Sequence, residues 1–153
     1  MNSDNAISEK IILILSGPNL NLLGERDPEI YGDQTLEQHI EIAERAASQH
    51  GITVTHLQSN HEGELVDAIH QAREKYAAII INPGAFTHYA WAIHDALQTF
   101  EGPVIELHLA NPAAREPWRH TSVVAPVASG TIAGFGGHGY QIAVDAVSEL
   151  LSE

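Results

Sequence analysis

The sequence predicts an α/β, flavodoxin-like three-layer sandwich: one five-stranded parallel sheet, order 2-1-3-4-5, between two layers of helices. Three observations predict it. Strand-like segments recur at residues 11–15, 52–57, 76–81, 104–108 and 129–135, and the wholly apolar 11–15 and 76–81 are as expected of buried strands of a parallel sheet. Segments with apolar residues at helical spacing lie between most of them. Strand and helix alternate, which calls for parallel strands joined by right-handed crossovers. With 153 residues the chain makes one domain, 1–153, in which residues 1–9 read as a flexible tail.

The elements follow in order. The first strand, 11–15, stops at Ser16-Gly17-Pro18-Asn19 and opens a polar loop of about fifteen residues, long against the usual two to six. Thr35 and Gln38 fit a capping box, and Leu36, Ile40, Ile42, Ala43, Ala46 and Ala47 form an apolar stripe that Gly51 ends. After strand 52–57 and a polar turn, residues 64–75 form a helix with Leu65, Ala68, Ile69 and Ala72 inward. Strand 76–81 is wholly apolar. A Pro- and Gly-containing loop at 82–88 precedes a helix over 89–100, which Gly102-Pro103 ends. Strand 104–108 gives way to an irregular stretch, 109–120, with room for one helical turn. A short extended piece at Val123-Val124, strand 129–135 and a last helix, 140–151, complete the chain.

Composition excludes several classes. Seven Lys and Arg against twenty Asp and Glu give a formal charge of −13, which repels nucleic-acid backbones and anionic membranes. There is no Cys, so disulfides, thiolate metal sites and a Cys nucleophile are excluded, and a reducing cytoplasm suits the chain. The N-terminus has no signal-peptide pattern, and no apolar run approaches a membrane span.

Ligands in open α/β sheets sit at the carboxyl ends of the strands. In the predicted order strands 1, 3 and 4 are neighbours. Their loops bring together Asn19, Arg26 and Tyr31; Asn82 and His88; and Glu106, His108, Asn111, Arg115 and Arg119. Each has a plainer reading: His108 as a satisfied core histidine, Asn82 as a turn former, Asp95 as helix surface, Arg26 and Tyr31 as a solvated loop. The ten His show no HExxH spacing, which argues against a metal. There is no P-loop and no GxSxG elbow. Residues 134–139, GFGGHG, follow the last strand and are weak as a dinucleotide motif. What remains is a phenol near a cation, an imidazole beside a carboxylate, and several amides. A tyrosine base near neutral pH needs a cation that favours phenolate, and Arg26 supplies one. A base and an acid flanking a carbon framework suit proton abstraction next to a carbonyl, followed by loss of a leaving group.

GPNLNLLGERDPEIYG, QSNHEGELVDAIH, INPGAFTH, IELHLAN, and AREPWRHTS with a closing GxxGY together resemble type II 3-dehydroquinate dehydratase, over about residues 11–151. The resemblance implies a cytoplasmic lyase that removes water from 3-dehydroquinate to give 3-dehydroshikimate. It implies anti elimination through an enolate, with no cofactor, metal or Schiff-base lysine. By motif position the base is Tyr31, its activating arginine Arg26, and the general acid His108 with Glu106 behind it. Asn19 orients the water that stabilises the enolate. Asn82, His88, Arg119 and the backbone amides of Leu109 and Ala110 bind substrate, and Asp95 reaches a neighbouring subunit's site. The resemblance also implies a homododecamer, a tetramer of trimers, whose Arg–Tyr loop closes as a lid. The chain departs from the pattern at Ala110, where the family usually has serine, and at Ala113, Pro117, Trp118 and Thr121. The remaining alternatives are a flavodoxin-like binding module for a nucleotide or flavin, a catalytically dead scaffold, and a dehydratase of a related cyclic polyhydroxy acid.

Overall fold

The computed structural model describes residues 10–153; the expected tail at 1–9 lies outside the described residues. Its sheet is built from β1 (Lys10–Ser16), β2 (Ile52–Gln58), β3 (Ala78–Asn82), β4 (Val104–His108) and β5 (Gly130–Ala133). All neighbours pair in parallel, in the order β2-β1-β3-β4-β5. The helices are α1 (Pro28–Tyr31), α2 (Leu36–Ser48), α3 (Glu62–Lys75), α4 (Trp91–Gln98) and α5 (His138–Leu151). The expected fold class and strand order therefore hold.

Successive side chains of a strand point to opposite faces, so each central strand feeds two cores. Ile12, Ile14, Ile80 and Leu107 pack with Ile40 and Ala43 of α2 and Val144 and Val147 of α5. Leu13, Leu15, Ile79 and Ile81 pack with Leu65 and Ile69 of α3 and Ile93 and Leu97 of α4. Each fully buried aliphatic side chain is worth about 1.5–3 kcal/mol. The capping box forms as expected: Thr35 Oγ1 accepts from the Gln38 amide and Gln38 Oε1 from the Thr35 amide.

Several boundaries differ from expectation, each for a local reason. The strand expected at 76–81 begins at Ala78, because the Tyr76 amide still donates to Ala72 and closes α3. The strand expected at 129–135 ends at Ala133, where Gly134 turns to φ 96°. The helix expected at 89–100 is confined to Trp91–Gln98, since Tyr89 caps a 3₁₀ turn over Gly84–His88. Val123 and Val124 form no strand; Val124 caps a 3₁₀ turn, Ala125–Val127. The long first loop contains a 3₁₀ turn, Leu20–Leu22, and α1.

His39, which lies outside the apolar stripe named from the sequence, is buried and stacks on Tyr140 with ring centroids 5.6 Å apart. Burial lowers its pKa, so the ring is held neutral. The space for it exists because residue 137 is glycine: a Cβ there would lie 2.6 Å from His39 Nδ1.

Candidate active site

The register aligns Ser16 with Asn82 and Ile81 with Glu106, so the chain leaves β1, β3 and β4 at one edge of the sheet. A cavity of about 240 Å³ opens there. Asn19, Arg26 and Tyr31 line it from the loop after β1, and Asn82 and His88 from the loop after β3. His108, Leu109, Ala110, Arg115, Trp118 and Arg119 line it from the chain after β4. Glu106 stands behind His108, outside the lining. Asp95 is exposed on α4, away from its own subunit's cavity.

Two seams hold the loops in place. The Gly17 amide donates to the Asn82 carbonyl at 2.8 Å, and the two backbones touch so closely that a Cβ on Gly17 would lie 2.3 Å from the Pro83 oxygen. The Gly136 amide donates to the Leu109 carbonyl at 3.0 Å and fixes the chain beyond β4.

Around the phenol, the structure brings up a cation that sequence reading named without giving it a role. Arg115 Nη1 donates to Tyr31 Oη at 2.8 Å, and its guanidinium carbon is 5.3 Å from the ring centroid. Arg26 approaches the ring, at 4.9 Å from the centroid, and lies 3.6 Å from Asp27. The signal for Arg115 was present in AREPWR, but its reach to Tyr31 was not. Arg119 is bound by Glu116 and stacks at 4.0 Å over the Trp118 ring.

Hydrogen bonds assign the remaining polar atoms. Asn82 Oδ1 accepts from the Gly84 amide at 3.1 Å, which makes its NH₂ the donor end of the side chain. His88 Nδ1 lies 2.7 Å from the Thr121 carbonyl. A carbonyl only accepts, so Nδ1 carries a proton and Nε2 of the neutral ring is an acceptor. His108 Nε2 donates to Glu106 Oε2 at 2.6 Å, and Nδ1 is the nitrogen left to serve a ligand. The Glu106 carboxylate also receives Thr87 Oγ1 at 2.5 Å and Ser122 Oγ at 2.9 Å. Sequence reading missed these two hydroxyls; nothing in a Thr or Ser at those positions marks it as facing a glutamate. Burial alone would push Glu106 up, but the hydrogen bonds from His108, Thr87 and Ser122 and the charge of His108 together hold it below its ordinary value. Among the described residues no group of three or more His, Asp or Glu is placed to hold a metal ion.

A group whose pKa is lowered by folding stabilises the fold above its unfolded value, and that contribution fades as pH falls through the folded value. Glu106→Gln should therefore cost about 3 kcal/mol near pH 7, since it breaks a buried charged network. The gap from wild type should shrink as the pH drops below 4.5. Urea unfolding at several pH values checks both.

The chain matches the family model for class II dehydroquinases over residues 10–148. It is 51% identical over 143 residues to "3-dehydroquinate dehydratase 2" of Pseudomonas putida, covering 94% of this chain and 96% of that one. It is 53% identical over 137 residues to the 3-dehydroquinate dehydratase of Bacillus licheniformis, covering 87% and 92%. Among solved structures, the type II dehydroquinase from Propionibacterium acnes superimposes with a TM-score of 0.88 at 41% identity, covering 92% of this chain and 97% of that one.

Proposed function

This chain belongs to the class II dehydroquinase family and is a 3-dehydroquinate-dehydrating enzyme; on that premise we propose that it works by anti elimination through an enolate, with Tyr31 as base and His108 as general acid. The observation that carries this reading is that one cavity holds a phenol bonded by a guanidinium and an imidazole bonded by a buried carboxylate. Tyr31 as phenolate takes the proton next to the substrate carbonyl. Arg115 donates to the Tyr31 oxygen at 2.8 Å, and Arg26 lies beside the ring. Asn19 orients a water onto the enolate oxygen. His108 then protonates the departing hydroxyl from Nδ1, which leaves as water, while Glu106 accepts the Nε2 proton in a hydrogen bond. Asn82, His88, Arg119 and the amides of Leu109 and Ala110 hold the substrate. Each step moves a proton or breaks a C–O bond, so no cofactor is required.

The same reading carries an assembly and a setting. Asp95 is exposed on α4, as is Trp91 at 63%, and lies outside its own cavity. The family resemblance extends this to a homododecamer, a tetramer of trimers, in which Asp95 serves a neighbouring site. The enzyme acts in the cytoplasm, in aromatic biosynthesis or quinate breakdown, which share this reaction. A second reading, a dehydratase of a related cyclic polyhydroxy acid, draws on Ala110, which lines the cavity without a hydroxyl.

Purified protein should convert 3-dehydroquinate to a conjugated product absorbing in the ultraviolet, with no loss after borohydride treatment; a screen of related cyclic acids follows if no product forms. Tyr31→Phe should lower kcat by about 10³-fold or more with an unchanged circular dichroism spectrum. Ala110→Ser should lower KM about fivefold, the worth of one neutral hydrogen bond. Light scattering should return twelve times the chain mass of 16.6 kDa, and a monomeric mass would remove Asp95 from the site.

A further inference from the structure

Glu106 is 1% exposed, yet it receives more donors than one histidine supplies. Oε2 accepts from His108 Nε2 at 2.6 Å and from Thr87 Oγ1 at 2.5 Å. Ser122 Oγ lies 2.9 Å from both carboxylate oxygens. A hydroxyl carries one proton and two lone pairs. Ser122 Oγ accepts the amides of Val124 at 3.1 Å and Ala125 at 2.9 Å, which fills its lone pairs. It therefore cannot accept from Thr87, although the two oxygens are 2.9 Å apart. Of these partners, only Glu106 can take the Thr87 proton. The Ser122 proton goes to Glu106 directly, or to Thr87 in a chain that ends on Glu106.

We propose that Thr87 and Ser122 are positioning residues for the general acid. Their hydroxyls keep Glu106 ionised and aimed, and Glu106 in turn holds His108 with Nε2–H inward and Nδ1 toward the substrate. This rests on the reading of His108 as the acid. Burial of a carboxylate favours its neutral form unless donors compensate. With one donor gone, Glu106 takes up a proton at a higher pH, and His108 loses its acceptor and its counter-charge. His108 is the titratable group that faces Glu106 from its own strand. The 3₁₀ turn Gly84–His88 and the strap of residues 121–124 packed against it present the hydroxyls of Thr87 and Ser122, while His88 is turned away to the Thr121 carbonyl. The turn and the strap are themselves tied, since the Val123 amide donates to the Thr87 carbonyl at 2.7 Å.

The test is the pH dependence of kcat and KM for 3-dehydroquinate in Thr87→Val, which keeps shape and loses the hydroxyl, and in Thr87→Ser, which keeps the hydroxyl. The valine variant should lower kcat about tenfold at neutral pH, with KM within about twofold. It should move the acidic limb of the kcat profile up by about one to two pH units, the scale of one hydrogen bond to a charged group. The serine variant should keep the wild-type limb. A purely structural role would lower stability and leave the limb in place; that result, or equal behaviour of the two variants, overturns the proposal. Ser122→Ala should move the limb the same way, but it also unpairs the Val124 and Ala125 amides, so the Thr87 pair decides. His108→Ala, measured alongside, separates the two levels. If it abolishes turnover while the Thr87→Val profile is unshifted, the positioning role alone falls. If it keeps turnover, the acid assignment falls and this inference with it.

Discussion

The parallel register of three strands is the constraint on which the site depends. Ser16 of β1 stands opposite Asn82 of β3, and Ile81 of β3 opposite Glu106 of β4. All three loops therefore leave the sheet at one edge. The contact that seals this edge is backbone on backbone, between Gly17 and Pro83, and it leaves no room for a side chain at residue 17. A larger residue would push apart the loops that carry Tyr31 and His88. Packing in the two cores enforces the register, because a slip by one residue would swap the faces of Ile12 and Leu13.

On that frame the protein separates its charges. The chain carries a formal charge of −13, yet three of its seven Lys and Arg residues line one cavity. Such a cavity suits an anionic ligand on an otherwise acidic molecule, because close charges act over distances at which the remote surface is screened. Glu106, the one buried carboxylate among the described residues, is kept behind His108 rather than exposed to the ligand. It is ionised at a cost in burial that three neighbouring donors offset, His108 Nε2, Thr87 Oγ1 and Ser122 Oγ, and so acts through the imidazole. Tyr31 and His108 are thus each paired with a group of the charge that their proposed work requires: a cation at the phenol, an anion at the imidazole.

The layer architecture, the strand order and the family were legible in the residues, because apolar periodicity reports burial and the motifs are long and ordered. Tyr31, His108, Arg26 and Asn82 were legible by the same route, and the structure brings them into one cavity. Element ends were less legible. Tyr76 belongs to a helix cap and Gly134 to a turn because of particular hydrogen bonds and dihedral angles, not because of hydrophobicity. His39 shows the same limit from the other side: it is polar in the sequence and buried in the fold, since Gly137, far along the chain, leaves it room.

What the sequence determined by itself was therefore the pattern of burial, the parallel topology that follows from alternating strands and helices, and the residue types available at the strand ends. What only the tertiary structure decided was which of those residues meet. Arg115 reaches the Tyr31 oxygen across 84 positions, and Thr87 and Ser122 reach Glu106 across 19 and 16. The physical reason is range. Burial is set by each residue's own polarity and its near neighbours, whereas a hydrogen bond between remote side chains needs sub-ångström placement by a sheet register and by loops that the whole core positions.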